Sequence, residues 1–283
     1  MKASNFKAVA VAIGAVSLSA VGTGDARSVE LSAHRALYEI TLESVRNGSE
    51  ITDLSGRMML EWADACDGWT VNQKVRMVLS HIGGPPLNNE FSFSSFEAKA
   101  GDSFRFSMRS SADGRPYEEF IGTATRGPGA KSKSSGRVEY TSPEGLEMEL
   151  PDETMFPSEH LFLVVERALA GERMVARTVF SGTGPDSIHE VTAFIGTEIP
   201  KDSKRVGVDD PDADAAMLGL TGLRSWPVAM AYFPYAKQDL EPEFEVSYRL
   251  LENGVAGHLL LDYGEFAMRA VLDKIEFLAR PTC

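Results

Sequence analysis

The stretch that decides the fold is residues 151–171, PDETMFPSEHLFLVVERALAG, which form the one long helical pattern downstream of the N-terminal segment. Thr154 can cap this helix, and Pro157 suits its first turn because that position needs no backbone N–H. Gly171 is suited to end the helix, since glycine is common just after a helix C-terminus. Residues 161–165 are five consecutive apolar positions, which cover every side of a helix at 100° per residue. The pattern therefore predicts a buried helix.

Most of the remaining chain shows the alternation of a β-strand. Ala36, Tyr38 and Ile40, for example, alternate with Leu37, Glu39 and Thr41. Turn signals such as Asn47-Gly48 and Asn253-Gly254 separate the runs. We count about a dozen strands, and a sheet of that size is too large to stay flat and open. The sequence therefore predicts a mainly β protein, a large curled antiparallel sheet wrapped around one buried helix at about 155–170.

Two segments carry more detailed strand predictions. Apolar side chains in the segment 91–108 predict a hairpin with one aromatic face: Phe91, Phe93, Phe96, Phe104, Phe106 and Met108. In the segment 223–235, Pro227 and Pro234 predict an edge strand or a bend, because proline cannot donate to a central ladder.

The N-terminus has the pattern of a secretory signal. Lys2 and Lys7 precede an apolar run from Ala8 to Ala20, which is too short for a spanning helix. Small residues follow, and cleavage is expected after Ala26, with Ala20 as the competing site. A short membrane anchor is the alternative reading. The predicted organisation is a signal peptide at 1–26 and a single domain at 27–283, with no stable membrane insertion after cleavage.

The chain is acidic, with a formal charge of −13 and a pI near 4.9. This balance argues against binding to nucleic acid and against adhesion to an anionic membrane surface. A basic peptide or a basic partner surface remains compatible with it.

The two cysteines are Cys66 and Cys283. In an exported chain an even number of cysteines suggests one disulfide, and the alternative is two separate thiols. Trp62 and Trp69 flank Cys66, and we interpret them as an aromatic plug over the disulfide. A redox site is the weaker reading, because the segment has no CxxC pair.

Common catalytic motifs are missing from the sequence. It contains no G-x-S-x-G elbow, no H-E-x-x-H, no phosphate-binding P-loop and no dinucleotide fingerprint after a strand. We therefore predict no catalytic residue, no metal and no cofactor.

Several polar residues nevertheless allow alternatives. The five histidines are scattered, and three of them could meet around zinc only by chance. The acidic stretch 209–216 lacks the glycine and closing glutamate of a calcium loop, so a solvated loop is the preferred reading. His160, near the start of the helix, is expected to make a buried hydrogen bond that orients it. Glu166 and Arg167 are either buried in ion pairs or emerge at the mouth of the barrel.

The ordered combination of four short motifs resembles the cell-envelope integrity protein EipB family. These are His34-Arg35-Ala36 before Tyr38, Trp62 with Cys66-x-Gly68-Trp69, Thr154-x-Phe156-Pro157-x-x-His160, and a C-terminal cysteine. The resemblance covers essentially the whole mature chain. It implies a periplasmic protein of Gram-negative bacteria with a β-spiral of roughly 12–14 strands, open-barrel-like, around one helix. It also implies that Cys66 pairs with Cys283 and that the role is maintenance of the envelope, with no established reaction.

Two functions follow as hypotheses. The first is a non-enzymatic periplasmic protein that binds a peptide, a lipid or a lipoprotein partner in the concave groove of the curled sheet. The second is a hydrolase of envelope polymers, which would need a pair of carboxylates with separated pKa values.

Overall fold

The computed structural model describes residues 29–127, 136–201, 220, 222–237 and 240–283. Within these residues the chain forms fourteen strands and one α-helix. The strands are β1 (His34–Val45), β2 (Ile51–Asp64), β3 (Gly68–His81), β4 (Leu87–Ala98), β5 (Ser103–Ala112), β6 (Arg115–Thr125), β7 (Gly136–Ser142), β8 (Glu147–Leu150), β9 (Met174–Phe180), β10 (Ile188–Ile195), β11 (Ser225–Pro234), β12 (Phe244–Leu251), β13 (Ala256–Asp262) and β14 (Phe266–Phe277). The helix α1 (Pro157–Leu169) lies between β8 and β9.

All fourteen strands belong to one antiparallel sheet, whose order is β8-β7-β6-β5-β4-β3-β2-β1-β14-β13-β12-β11-β10-β9. The first and last strands pair at the centre of the sheet, and β8 and β9 lie at its two edges. Residue Met155, just before α1, forms a parallel bridge with Val179 of β9. The predicted fold class, a large curled antiparallel sheet around one helix, is confirmed.

The alternation in the sequence sets the two faces of the sheet. Tyr38 and Ile40 are buried on the inner face, while Leu37 and Glu39 face solvent. Tyr38 lies opposite Met58 on one neighbouring strand and Leu272 on the other. A slip of one residue would expose every buried side chain of the strand, so the apolar pattern fixes the register.

The helix packs against the inner face. Val164, Val165 and Ala168 are buried in a cluster with inner-face residues of β2 and β9–β12, among them Trp226 and Val228. A second cluster, around Phe104 and Phe106, encloses the residue before the helix. A third fills the interior beside β1, β2 and β14.

The helix is less completely enclosed than its sequence predicts. Leu161, Phe162 and Leu163 are only partly buried, and Glu166 is exposed to solvent. Arg167 pairs with Glu172 at 2.5 Å, just beyond the end of the helix. Of the two alternatives for the charged pair in this helix, emergence into solvent is therefore the correct one.

The aromatic hairpin has one side chain on the unexpected face. Phe91 and Phe93 point inward, but Phe96 is an odd number of residues away and lies on the outer face. There the guanidinium of Arg105 lies 4.6 Å from its ring centroid. The prediction of a single aromatic face was therefore wrong at Phe96.

The proline-containing strand β11 is central, with β10 and β12 on either side. The edge prediction was therefore wrong. Gly196 donates its N–H to the carbonyl of Pro227, but Pro227 has no N–H to return to Gly196. The Arg173 guanidinium donates to the Gly196 carbonyl instead, so no acceptor is lost there. Pro234 is the last residue of the strand, where a missing donor costs little.

Several predicted segments lie outside the described residues: the signal peptide at 1–26, most of the basic loop 127–136, a short strand at 206–208 and the acidic stretch 209–216. Their predictions are untested. None of the described helical segments has the length and apolar character that a membrane crossing requires.

Candidate functional site

The start of the helix is built by residues from several strands. Phe156 is the N-cap, is fully buried, and stacks on Phe104 with ring centroids 5.1 Å apart. Pro157 occupies the first helical turn, as its missing N–H favours. Thr154 does not cap the helix, contrary to the sequence prediction. Its hydroxyl donates to the Pro151 carbonyl at 2.7 Å and closes the preceding turn.

The capping group comes from another strand. The carboxylate of Glu97, on the inner face of β4, accepts the N–H of Ser158 at 2.7 Å and the N–H of Glu159 at 2.8 Å. These are two of the donors that a helix N-terminus leaves without an intrahelical partner. When the carboxyl is ionised, its negative charge lies at the positive end of the helix dipole. Glu97 therefore does the work expected of a local serine or threonine cap.

Arg126 ties the same region to the strands. It pairs with Glu159 at 2.9 Å and donates to the carbonyls of Gly101 and Thr154 at 2.8 and 2.5 Å. Its guanidinium also lies 4.3 Å from the centroid of the Phe156 ring. The side chain is almost fully buried, so these contacts fix the position of the helix against β4–β6.

Burial raises the pKa of the Glu97 carboxyl to about 7, against the opposing effect of the two N–H groups that it accepts. A raised pKa means that the folded protein holds a proton that the unfolded chain releases above about pH 4.5. The contribution of Glu97 to stability is therefore complete below about pH 4.5 and decreases as the pH rises towards 7. We expect a decrease of about 3 kcal/mol over this range.

The measurement is urea unfolding between pH 4.5 and 7.5 for the wild type and Glu97→Gln. The glutamine is nearly isosteric and does not titrate, so the difference between the two curves isolates Glu97. Parallel curves across the whole range would contradict the assignment.

Trp62 and Trp69 form a stacked pair on the inner face, with ring centroids 4.7 Å apart. Both rings contact Phe162 of the helix, at 6.1 and 5.1 Å between centroids. The indole N–H of Trp62 donates to the Ser158 hydroxyl at 3.4 Å. The aromatic pair therefore packs against the helix, and its predicted role as a plug over the disulfide stays a prediction.

Cys66 and Cys283 form a disulfide, with their Cα atoms 5.7 Å apart. Cys66 lies in the β2–β3 turn with φ of 65°, and its N–H is accepted by the Asp64 carboxylate at 2.8 Å. The neighbouring Gly68 has no room for a side chain, because an added Cβ would lie 2.3 Å from the Phe96 ring. The bond connects the last residue of the chain to this turn.

His160 is buried on the helix, as predicted, but its Nε2 has no hydrogen-bond partner. Burial lowers the pKa of His160 to about 4, and the nearby Arg177 acts in the same direction. The ring is therefore neutral near pH 7. The predicted orienting hydrogen bond is not made at Nε2, and His160 contributes to the helix contact mainly by packing.

The inner face becomes more accessible with distance from the helix start. Fully buried side chains such as Trp226, Val228 and Leu250 surround the helix. Towards the opposite end of the same strands the inner face carries half-buried apolar side chains, which we call the concave groove: Leu42, Met77, Leu79, Phe91, Tyr232, Phe244, Val246, Leu261 and Phe266. Large apolar side chains that remain partly open on a concave surface are typical of ligand sites.

One side of the groove is aromatic. Tyr232 and Phe244 stack with centroids 4.3 Å apart, and both contact the His189 ring. His189 Nε2 pairs with the Glu243 carboxylate at 3.0 Å. Burial raises the pKa of Tyr232 to about 12, so its phenol stays neutral at physiological pH. This side of the groove is therefore lined by aromatic rings beside the His189–Glu243 pair.

Glu97 and Glu159 are two carboxylates that lie close together at the start of the helix. Glu97 is engaged with the helix N–H groups, and Glu159 is paired with Arg126. Both carboxylates are therefore engaged in contacts that hold the helix in place. Among residues 29–127, 136–201 and the other described segments, no group of three or more His, Cys, Asp or Glu could hold a metal ion.

Sequence reasoning identified Phe156, Pro157, His160 and the two tryptophans but missed Glu97 and Arg126. The sequence does contain a signal that could have identified Glu97. It lies an even number of residues after Phe91 and Phe93 on β4, and it therefore shares their inward-facing side of the strand. An acid on an inward position must find donors. No local pattern identifies Arg126, since its partners lie 25 to 33 residues away.

Three comparisons bear on the identity of the chain. A family described as EipB-like matches residues 25–279. The chain is 29% identical over 255 residues to the cell envelope integrity protein EipB of Brucella abortus, covering 89% of this chain and 86% of that protein. A solved structure from Brucella abortus, a beta-barrel-like protein of a domain of unknown function, DUF1849, superposes with a TM-score of 0.78. That match has 27% identity and covers 89% of this chain and all of the other.

Proposed function

Because this chain belongs to the EipB-like family, we propose that it supports the integrity of the cell envelope as a non-enzymatic periplasmic binding protein. The role in envelope integrity rests on similarity to the Brucella protein of that name. The periplasmic location rests on the predicted signal peptide at 1–26 and on the exposed disulfide, which is a bond of oxidising compartments.

The observation that carries the binding function is the concave groove. Its side chains come from strands on both halves of the sheet, and their apolar surface is only partly covered. The proposed ligand is an apolar one, namely a peptide segment, a lipid or the acylated part of a lipoprotein. Burial of such a ligand would contribute about 25 cal/mol for each Å² of apolar surface removed from water.

Native mass spectrometry of protein purified from its own periplasm tests this function directly. A ligand held in the groove is expected to remain bound under gentle ionisation and to be released on denaturation, and its mass gives its chemical class. Mass spectra that show only the bare chain from several independent preparations would oppose a carrier function.

A charge placed in the groove should prevent this binding. Met77 points into the groove, and its neighbour Val78 on the same strand is 40% exposed on the outer face. We expect Met77→Asp to reduce the bound fraction of the co-purified ligand at least tenfold, because an apolar ligand would have to desolvate the carboxylate. The control, Val78→Asp, should leave the bound fraction unchanged.

Circular dichroism melting of both variants checks that they fold. Equal occupancy in folded Met77→Asp and Val78→Asp would show that the ligand binds elsewhere.

A further inference from the structure

A second concave surface lies on the outside of the sheet, where strands β10 to β13 run past one another. We call it the outer trough, and it has a cavity volume of about 640 Å³, in the range of small-molecule sites. Its apolar floor follows the register of the sheet, in which Phe194 lies opposite Ala229, Ala229 opposite Ser247, and Ser247 opposite Leu260. Phe194 is 53% exposed, a large fraction for a phenylalanine in a β-strand.

Beside the apolar floor, the trough is lined by basic side chains. Arg173 and Arg249 both line the cavity, at the level of Gly196 and Pro227. None of the thirteen lining residues is an aspartate or a glutamate. The chain as a whole carries 41 acidic and 28 basic residues, so the charge of the trough is opposite in sign to the net charge of the protein. The trough therefore combines an apolar floor with cationic groups along one side.

The backbone around the trough is irregular. Gly196 has no room for a side chain, because an added Cβ would lie 2.4 Å from the Pro227 ring. The pairing of β12 with β13 shifts register between Ser247 and Arg249, and His258 opposite has φ of 53°. Bulges and left-handed residues of this kind redirect side chains and occur often beside functional sites.

We propose that the outer trough is a second binding site, for a small amphiphilic carboxylate such as a medium-chain fatty acid. The acyl chain lies over Phe194 and Leu260, and the carboxylate contacts the guanidinium groups of Arg173 and Arg249. Guanidinium groups bind carboxylates through directional, charge-assisted hydrogen bonds. The site is separate from the concave groove, which faces the other side of the sheet.

Isothermal titration calorimetry with decanoate, below its micelle concentration, tests the assignment on the oxidised protein. Decanol and decyltrimethylammonium have the same chain length and serve as neutral and cationic comparators. Decanoate is expected to bind at least tenfold more tightly than either. Equal affinities for decanoate and decanol would overturn the role of the arginines.

Variants locate the site. Phe194→Ser, at a half-exposed position, should fold normally and weaken decanoate binding about tenfold, as expected for lost apolar contact. Arg173→Gln combined with Arg249→Gln should weaken it by about the same factor. Tyr117→Ser removes an aromatic ring that is 62% exposed on β6, a strand that does not line the trough, and it should have no effect.

The concave groove gives the opposite pattern. If decanoate binding were abolished by Met77→Asp but unchanged in Phe194→Ser, decanoate would be a ligand of the groove, and the trough proposal would be wrong. Loss of binding in Phe194→Ser with normal binding in Met77→Asp supports the trough, whatever the groove holds.

Discussion

Replacing Cys66 with serine is expected to lower the free energy of unfolding by about 5 kcal/mol, the loop-closure contribution of a crosslink between residues this far apart in the chain. The two cysteines are separated by 217 residues, so the bond restricts nearly the whole unfolded chain. Typical domains have a total stability of about 5–15 kcal/mol, which makes this a large fraction. The measurement is thermal and urea unfolding of the oxidised protein.

Cys283→Ser serves as the matched control, because it removes the same bond at its exposed end. Both single variants and the double variant should show the same loss, and a reducing agent should bring the wild type to their level. An unchanged melting temperature in Cys66→Ser would exclude a stabilising role for the disulfide.

Glu97→Ala should have the second largest effect. The change leaves the N–H groups of Ser158 and Glu159 without their acceptor in a buried setting, at a cost of about 1–3 kcal/mol for each. We expect a total loss of about 3 kcal/mol at pH 6. Hydrogen exchange should also accelerate at these two amides, a local effect that a general loss of stability would not produce.

Glu97→Gln provides the comparison for this variant, since the amide oxygen can accept one of the two N–H groups. It should lose roughly half as much stability as the alanine. If both variants unfolded at the same urea concentration as the wild type, the helix N-terminus would not depend on Glu97.

The fold could be predicted from the sequence because the hydrophobic patterns of its strands and of its helix are each visible within a short stretch of chain. The alternation of Ala36, Tyr38 and Ile40 with polar or exposed neighbours identifies a strand and its buried face without any knowledge of the partners. The apolar run at 161–165 likewise requires a largely buried helix. These patterns are enough to give the approximate number of strands, about a dozen against the fourteen described, and the central position of the helix.

The details that failed depend on contacts between distant parts of the chain. Thr154 is a residue type that often caps helices. The group that accepts the helix N–H bonds is instead Glu97, on a strand that precedes the helix by about sixty residues. Proline is typical of edge strands, because it has no N–H to donate. At Pro227 the Arg173 guanidinium donates to the Gly196 carbonyl in place of that N–H, which allows β11 to lie inside the sheet. Neither the concave groove nor the outer trough could be predicted from the sequence. Each is formed by side chains of several strands, and the sequence alone does not give the register in which those strands pair.

The pairing of β1 with β14 has a consequence for how the chain is made. While the protein is being synthesised, β1 at first has a partner on one side only, because β14 follows all the other described strands in the chain. The segments β1–β8 can form their hairpins in order, but the centre of the sheet stays an open edge until residue 277 is available. Closure of the sheet is thus coupled to the synthesis of β14, and a polypeptide truncated before β14 retains that open edge.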